Sequence, residues 1–247
     1  MLFKFKYHKN LAPDIWESPT KMNPLVVHSL KMIAAEFVNY LCNVAKLPVS
    51  VADIQDVFVH GSITNYYWDK HSDIDLCIVA DLSKLRNYLH SSDDYILFKG
   101  LLTSWYRVYD ISIFGRGIDL KMIDIRDTNK TLTMIVGPSY SLKKDRWEKT
   151  PVRLTKSELR TQCRIARIKY RAMMRQCRYM LRHKMPSEYV DAYLVNLQKV
   201  RLASMTYQDN HPVTSTTMAF KMVRNTGTFR KLRKMSKGQR SKKFRLE

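Results

Sequence analysis

The chain has 247 residues and carries 43 Lys and Arg against 22 Asp and Glu, which gives a formal net charge of +21. Its hydrophobic fraction of 45%, with only 7 Gly and 8 Pro, excludes a largely disordered protein. A chain of this length holds one substantial core, or one core with an accessory region. The charge excess favours an anionic partner such as nucleic acid, acidic lipid or a polyphosphate.

The cysteines and the N-terminus indicate an intracellular protein. Cys42, Cys77, Cys163 and Cys177 lie far apart in apolar patterns, with no CxxC pair. This spacing is typical of reduced core thiols and disfavours a structural zinc site. The first ten residues alternate Lys with aromatics and lack an apolar signal core. We therefore expect a soluble, cytoplasmic protein that does not engage a membrane.

The first part of the chain predicts a sheet covered by helices. Helical spacing over residues 24–46 and 82–105 predicts helices, and short apolar runs at 57–60 and 74–80 predict strands. Further strands are expected at 108–114 and 118–125, joined by a glycine-rich hairpin turn, and a third run at 131–136 extends the sheet. The expected fold class is α/β (α+β), a small mixed sheet of about four to five strands with helices packed on it, followed by a helical C-terminal region.

The second part is helical and basic. A capping-box pattern from Thr155 to Glu158 predicts a helix to about residue 184, and a second helix follows over 188–204. Beyond residue 220 the sequence is rich in Lys and Arg and poor in apolar anchors. We divide the chain into an N-terminal extension (1–23), a main domain (24–150), a helical accessory region (151–210) and a basic tail (211–247).

The residues with the clearest chemical pattern are a Gly-Ser pair and two aspartates. Asp73 and Asp75 are two positions apart on a predicted strand, so both carboxylates point to one side. Mg²⁺ prefers such oxygen ligands and needs few protein carboxylates when substrate phosphates complete its shell. Gly61 lets the backbone approach a phosphate, and Ser62, expected in the first turn of a helix, offers a hydroxyl and backbone N–H groups to it.

A Gly-Ser pair followed by an Asp-x-Asp strand resembles the signature of the DNA polymerase β-like nucleotidyltransferase superfamily. Members include poly(A) and CCA-adding polymerases and enzymes that nucleotidylate antibiotics or proteins. The resemblance covers roughly residues 57–125. The segments Tyr140-Ser141-Leu142 and Arg224-Asn225-Thr226-Gly227 also look like parts of tailed-bacteriophage proteins classed as nucleotidyltransferases, which would place the chain in a host bacterial cytoplasm.

The resemblance implies a third carboxylate on a later strand. Asp119, between Ile118 and Leu120, matches that setting best, while Asp110 and Asp124 remain alternatives. The implied chemistry is two-metal phosphoryl transfer, with two Mg²⁺ or Mn²⁺ ions held by Asp73, Asp75 and Asp119 and a nucleoside triphosphate as substrate. The competing interpretation is a plain Gly-Ser turn beside aspartates on a solvated strand.

An arginine stripe follows the helix that begins near residue 155. Its members recur every three or four residues, and no Asp or Glu lies between Leu159 and Ser187. The stripe comprises Arg160, Arg164, Arg167, Arg171, Arg175, Arg178 and Arg182. It favours nucleic-acid binding, with RNA preferred and tRNA among the candidates. The alternatives are a solvated face, or pairing with acids such as Asp93 and Asp94.

The leading hypothesis is an enzyme that transfers a nucleoside monophosphate from a triphosphate to a hydroxyl on RNA and releases pyrophosphate. A catalytically silent nucleic-acid-binding module and a transferase acting on protein (AMPylation-type) remain open. The basic tail would add affinity for nucleic acid, or only solubility. Tyr66, Tyr67 and Trp68 would either stack on a base or pack beneath the loop.

Overall fold

The computed structural model describes residues 6–70, 72–89, 94–127, 137–206 and 214–240. The chain divides into two compact units, which we call the sheet unit (Lys6–Val152) and the helical unit (from Arg153 onward). The first is a mixed sheet with helices and the second is helical. The predicted fold class is therefore confirmed, with a somewhat larger sheet than expected.

The sheet contains six strands in the order β3-β4-β2-β1-β5-β6. Their bounds are β1 Ile54–His60, β2 Ile74–Ala80, β3 Ser112–Ile113, β4 Arg116–Asp124, β5 Ser139–Ser141 and β6 Arg146–Lys149. β2 pairs in parallel with β4, and the other neighbours pair antiparallel. The runs expected at 57–60, 74–80 and 118–125 correspond to β1, β2 and β4. β5 and β6 were not predicted.

The sheet unit has three described α-helices, α1 Pro24–Asn43, α2 Ser83–Leu89 and α3 Asp94–Val108. The strand predicted at 108–114 is wrong over most of its length. α3 runs to Val108, the Tyr109 N–H still donates to the Trp105 carbonyl, and only Ser112–Ile113 pair with β4. Val108 and Tyr109 are largely exposed, so their β-branched and aromatic character does not reflect a buried strand here. The run at 131–136 lies outside the described residues.

The core lies on one face of the sheet, where alternate strand residues meet α1 and α3. Leu76 and Ile78 of β2 are fully buried there, as are Leu120 of β4 and Phe37 of α1. Because side chains alternate across a strand, the residues between them point to the other face. Asp75 and Asp119 belong to that opposite set.

The described part of the expected N-terminal extension belongs to this core. Leu11, Ile15 and Trp16 are buried, and the Trp16 indole N–H donates to the Ile63 carbonyl at 3.0 Å. The Trp16 ring also stacks on Trp147, with 4.4 Å between centroids. Because these apolar side chains pack into the sheet unit, its boundary lies before residue 11 and not at residue 24.

By length and composition α1 is apolar enough to cross a membrane. Its apolar side chains, however, are used inside the unit: Leu30, Phe37 and Leu41 are all buried in the core. α1 thus contributes one apolar face to the core of the sheet unit.

The helical unit consists of α4 Lys156–Arg182, α5 Ser187–Thr206, α6 Ser215–Arg224 and α7 Gly227–Arg240. The predicted capping box begins α4: Thr155 Oγ1 accepts from the Glu158 N–H, and a Glu158 carboxylate oxygen accepts from the Thr155 N–H. The described part of the expected basic tail forms α6 and α7. Phe229 and Leu232, three residues apart, face the second core beside Cys177. These two anchors were overlooked because basic residues surround them.

Candidate active site

Asp75 and Asp119 occupy paired positions on neighbouring parallel strands. β2 and β4 run side by side with Asp75 directly opposite Asp119, and their chain neighbours Leu76 and Leu120 are paired and fully buried. Adjacent strands lie about 4.8 Å apart, so the two carboxylates leave neighbouring backbones on the same face. Asp73 is exposed and immediately precedes β2. The register therefore places Asp75 and Asp119 side by side on one face of the sheet, and Asp73 lies on the exposed segment that leads into β2.

Gly61 lies against the carboxylate of Asp75. It follows the end of β1, where His60 is the partner of Asp75. Its φ is +85°, and a Cβ at this position would lie 1.7 Å from Asp75 Oδ2. Any other residue would meet both left-handed backbone strain and a collision with the carboxylate. The predicted Gly-Ser turn and Asp-x-Asp strand are thus in direct contact.

The chain after Gly61 forms turns and not the expected helix. In a helix the Gly61 carbonyl would accept from the Asn65 backbone N–H. Here it accepts from the Asn65 side-chain amide at 2.6 Å, while the Asn65 backbone N–H donates to Ser62 O at 3.2 Å. Thr64 Oγ1 lies 2.9 Å from the same Gly61 carbonyl. Residues Thr64 and Asn65 are almost fully buried, so they hold the turn from beneath and leave Ser62 partly exposed.

Arg116 fixes the loop that leads to Asp73. Its guanidinium is 5% exposed and donates to the carbonyls of Asp69 and Ser72 at 2.8 and 3.1 Å. It also donates twice to the Asp14 carboxylate, at 2.7 and 3.3 Å. The charge is thus paired and its donors are satisfied, as a buried guanidinium requires. This clamp holds the backbone one residue before Asp73.

Tyr106 supports β4 on both sides of Asp119. Its hydroxyl donates to the Ile118 carbonyl at 2.8 Å and accepts from the Leu120 N–H at 2.7 Å. β3 pairs only with Arg116 and Gly117 of β4. The Tyr106 hydroxyl therefore provides the hydrogen bonds to Ile118 and Leu120 that a longer β3 would otherwise provide. Burial, partly opposed by the Leu120 hydrogen bond, raises the pKa of Tyr106, so the hydroxyl keeps its proton at neutral pH.

The alternative third carboxylates lie elsewhere. Asp110 is exposed beyond the end of α3 and outside any strand. Asp124 is buried, with Arg126 at 2.6 Å and Arg86 at 3.2 Å. Burial alone would raise the pKa of Asp124, but hydrogen bonds from Arg126 and both positive charges lower it overall. Asp124 is committed to a structural ion pair, which leaves Asp119 as the carboxylate beside Asp75.

A lysine shares the face that carries the aspartates. Lys121 is exposed two residues after Asp119, and it lies near enough to affect His60. Burial, with a smaller contribution from Lys121, lowers the pKa of His60 to about 4. Burial likewise raises the pKa of the Cys77 thiol to about 12, so Cys77 is an inert thiol. Sequence reasoning missed Lys121, although the Asp119-x-Lys121 alternation places both on one face.

Asp73, Asp75 and Asp119 could supply oxygen ligands to a divalent cation only together with ligands from outside the protein. Within the described ranges, no group of three His, Cys, Asp or Glu side chains forms a ready-made metal site. The carboxylates of Asp73 and Asp119 have no ion pair or hydrogen bond to any described residue. Clustered carboxylates repel one another unless a cation is present, and Mg²⁺ commonly uses few protein oxygens together with substrate phosphates. The donor set therefore suits Mg²⁺ or Mn²⁺.

The aromatic residues between the two motifs pack within the protein. Tyr67 is buried, and the Trp68 ring stacks on His8 at 3.9 Å between centroids. The Trp68 indole N–H donates to the Asn10 carbonyl, and the Arg116 guanidinium lies 5.7 Å from the ring centroid. Trp68 therefore has a structural environment, which favours the packing interpretation over base stacking.

The seven arginines of the stripe are all exposed along α4. The side of α4 next to the stripe is buried at Ala166, Met174, Cys177 and Met180. Among the described residues, no carboxylate forms an ion pair with any arginine of the stripe. Asp93 lies outside the described residues, and the side chain of Asp94 is not described.

No family model matches the chain, and no curated protein or solved structure matches it significantly.

Proposed function

We propose that the protein is a metal-dependent nucleotidyltransferase that moves a nucleoside monophosphate from a triphosphate to a hydroxyl on RNA and releases pyrophosphate. One observation carries the proposal. The Asp75 carboxylate lies against the Gly61 α-carbon and directly opposite Asp119 on the adjacent strand. A solvated strand would not need a left-handed glycine fitted to a carboxylate, so the arrangement supports a built site.

Each candidate side chain has a separate role under this proposal. Asp73 and Asp75 would hold two Mg²⁺ or Mn²⁺ ions together with Asp119. Bound, these ions would lower the pKa of the acceptor hydroxyl and neutralise charge on the departing pyrophosphate. Asp119 is exposed and unpaired among described residues, so it can accept the proton of the attacking hydroxyl. Ser62 and the exposed Lys121 are available to the triphosphate.

The class of acceptor is inferred from the positive charge of the arginine stripe. An acceptor such as a small molecule would not need seven exposed arginines without described partners. A polyanion neutralises them, and we favour RNA, which carries 2′-hydroxyls as well as a terminal hydroxyl that can act as acceptor. Under this proposal the protein acts in the cytoplasm, that of a bacterial host if a phage encodes it.

The first test is binding. Mg²⁺ or Mn²⁺ with a nucleoside triphosphate should raise the Tm of the wild type and leave that of the Asp73→Asn/Asp75→Asn variant unchanged. The Asp110→Asn variant is the matched control, because Asp110 is an exposed aspartate outside the site. A wild type without a metal-dependent shift would favour the catalytically silent module.

The second test identifies the acceptor. The wild type is incubated with each labelled triphosphate and with total cellular RNA and protein, and the labelled fraction is determined. Label in RNA that disappears in the Asp73→Asn/Asp75→Asn variant is expected. Label in protein alone would replace the RNA assignment by AMPylation-type transfer, and label in neither fraction would count against an enzyme.

A further inference from the structure

The arginine stripe is not uniform along α4, because its C-terminal half borders a cavity. This cavity has a volume of about 410 Å³. Four arginines line it together with two tyrosines, namely Arg171, Arg175, Arg178, Arg182, Tyr170 and Tyr179. We call it the Arg171 groove. Arg160, Arg164 and Arg167 are also exposed but do not line it.

The charge of the groove selects an extended anion. Neighbouring arginines at i and i+3 or i+4 lie about 5–6 Å apart and repel one another. From Arg171 to Arg182 the helix rises about 16 Å, which is long enough to contact several phosphates of one nucleic-acid strand. No described carboxylate pairs with these guanidinium groups. A single phosphate would leave most of this charge uncompensated.

The aromatic residues decide which kind of nucleic acid fits. Tyr179 is 51% exposed between Arg178 and Arg182, and its ring contacts the His183 ring at 4.3 Å between centroids. Met174, which also lines the groove, is buried and gives it an apolar floor. Exposed aromatic rings bind unstacked bases, whereas a duplex keeps its bases stacked within the helix. The combination is typical of single-strand binding.

We infer that the Arg171 groove binds single-stranded RNA, with its phosphates on Arg171, Arg175 and Arg178 and a base stacked on Tyr179. This inference rests on the proposed function, because the bound strand would be the acceptor. The inference adds that the acceptor strand is unpaired where it crosses α4. It also implies that the C-terminal arginines of the stripe contact the strand, whereas the N-terminal ones only raise the surrounding positive potential.

The test uses the full-length chain and fluorescence anisotropy with a short labelled RNA of mixed sequence. Two triple variants remove equal charge from one helix, Arg171→Gln/Arg175→Gln/Arg178→Gln and the control Arg160→Gln/Arg164→Gln/Arg167→Gln. The groove variant should weaken binding at least about tenfold more than the control. It should also reduce the slope of log affinity against log salt by about 2, since each lost single-strand phosphate contact contributes about 0.7.

The stacking component is tested separately at Tyr179. Tyr179→Ala should weaken single-strand binding by about 5- to 100-fold with an unchanged salt slope, and Tyr179→Phe should bind as the wild type does. Because Tyr179 is half exposed, circular dichroism should show both variants folded. The same sequence as DNA and as an RNA duplex completes the series, with the duplex expected to bind more weakly.

Equal losses in the two triple variants, full affinity in Tyr179→Ala, or duplex binding as tight as single-strand binding would each overturn the inference. The inference would also be overturned if binding to anionic lipid vesicles required the groove arginines and binding to RNA did not. All binding is repeated with Asp73→Asn/Asp75→Asn and without divalent metal. If RNA binding persists under these conditions and the wild type shows no nucleotidyl transfer, the proposed function fails while the inference about the Arg171 groove stands.

Discussion

Gly61→Ala tests the contact on which the candidate site depends. The new Cβ would lie 1.7 Å from Asp75 Oδ2. To regain an ordinary contact of about 3.5 Å, the carboxylate has to move by roughly 2 Å. A displacement of about 1 Å at reacting groups already costs about 100-fold in rate. We therefore expect kcat/KM for the proposed nucleotidyl transfer to fall at least about 100-fold.

The same substitution should destabilise the sheet unit. Alanine at φ +85° carries left-handed strain of about 1–2 kcal/mol. In a chain of this size that lowers Tm by roughly 2–8 °C. The measurements are a transfer assay with labelled triphosphate and a thermal melt by circular dichroism. The metal-dependent Tm increase with triphosphate should also be lost.

Two other glycines provide matched controls. Gly117 lies on β4 two residues before Asp119, and Gly100 lies in α3; a Cβ at either would meet no atom within 4 Å. Gly117→Ala should retain activity, and Gly100→Ala should raise the free energy of unfolding by about 0.5–1 kcal/mol. Wild-type transfer by Gly61→Ala would refute the reasoning, because the Asp75 carboxylate would then not need its observed position.

Three further predictions concern the groups around the site. Tyr106→Phe should leave the Leu120 N–H without its partner, costing about 1–3 kcal/mol in urea unfolding and lowering kcat; an unchanged unfolding midpoint would contradict a supporting role. Arg116→Met should cost about 3–5 kcal/mol, since it leaves a carboxylate and two loop carbonyls without their donor; a loss no larger than that of a surface arginine would contradict the clamp. The pKa of His60 is lowered from 6.5 to about 4 by burial and then by Lys121, so the unfolded chain binds more protons between those values and stability falls as pH drops from about 6.5 to 4. That loss, about 3 kcal/mol, should be absent in His60→Gln, and identical pH profiles in urea unfolding would contradict the lowered pKa of His60.

The parts of the fold that were predictable are those with local periodicity. β2 was predicted at its observed bounds because Ile74 to Ala80 is an apolar run interrupted only by Asp75. Asp119 was preferred to Asp124 because its Ile-Asp-Leu setting matches what the resemblance implies, and because strand alternation makes Asp124 project to the opposite side, as the burial pattern of β4 has it. β5, by contrast, has three buried residues, Ser139–Ser141, two of which are serines, and carries no apolar signal. Ser141 is buried because its hydroxyl donates to the buried carboxylate of Asp56, which lies 85 positions earlier in the chain.

The side chains that hold the candidate site in place could not be predicted from the sequence, because they contact backbone atoms. Tyr106, Arg116 and Asn65 each act on a backbone carbonyl, those of Ile118, Ser72 and Gly61 respectively. Every residue carries a carbonyl, so such a contact places no requirement on the identity of its partner. The carboxylates can be found from sequence because their chemistry dictates residue type and spacing. Their supports depend on which backbone atoms the fold brings near, and that is known only once the β2–β4 register and the turn after Gly61 are in place.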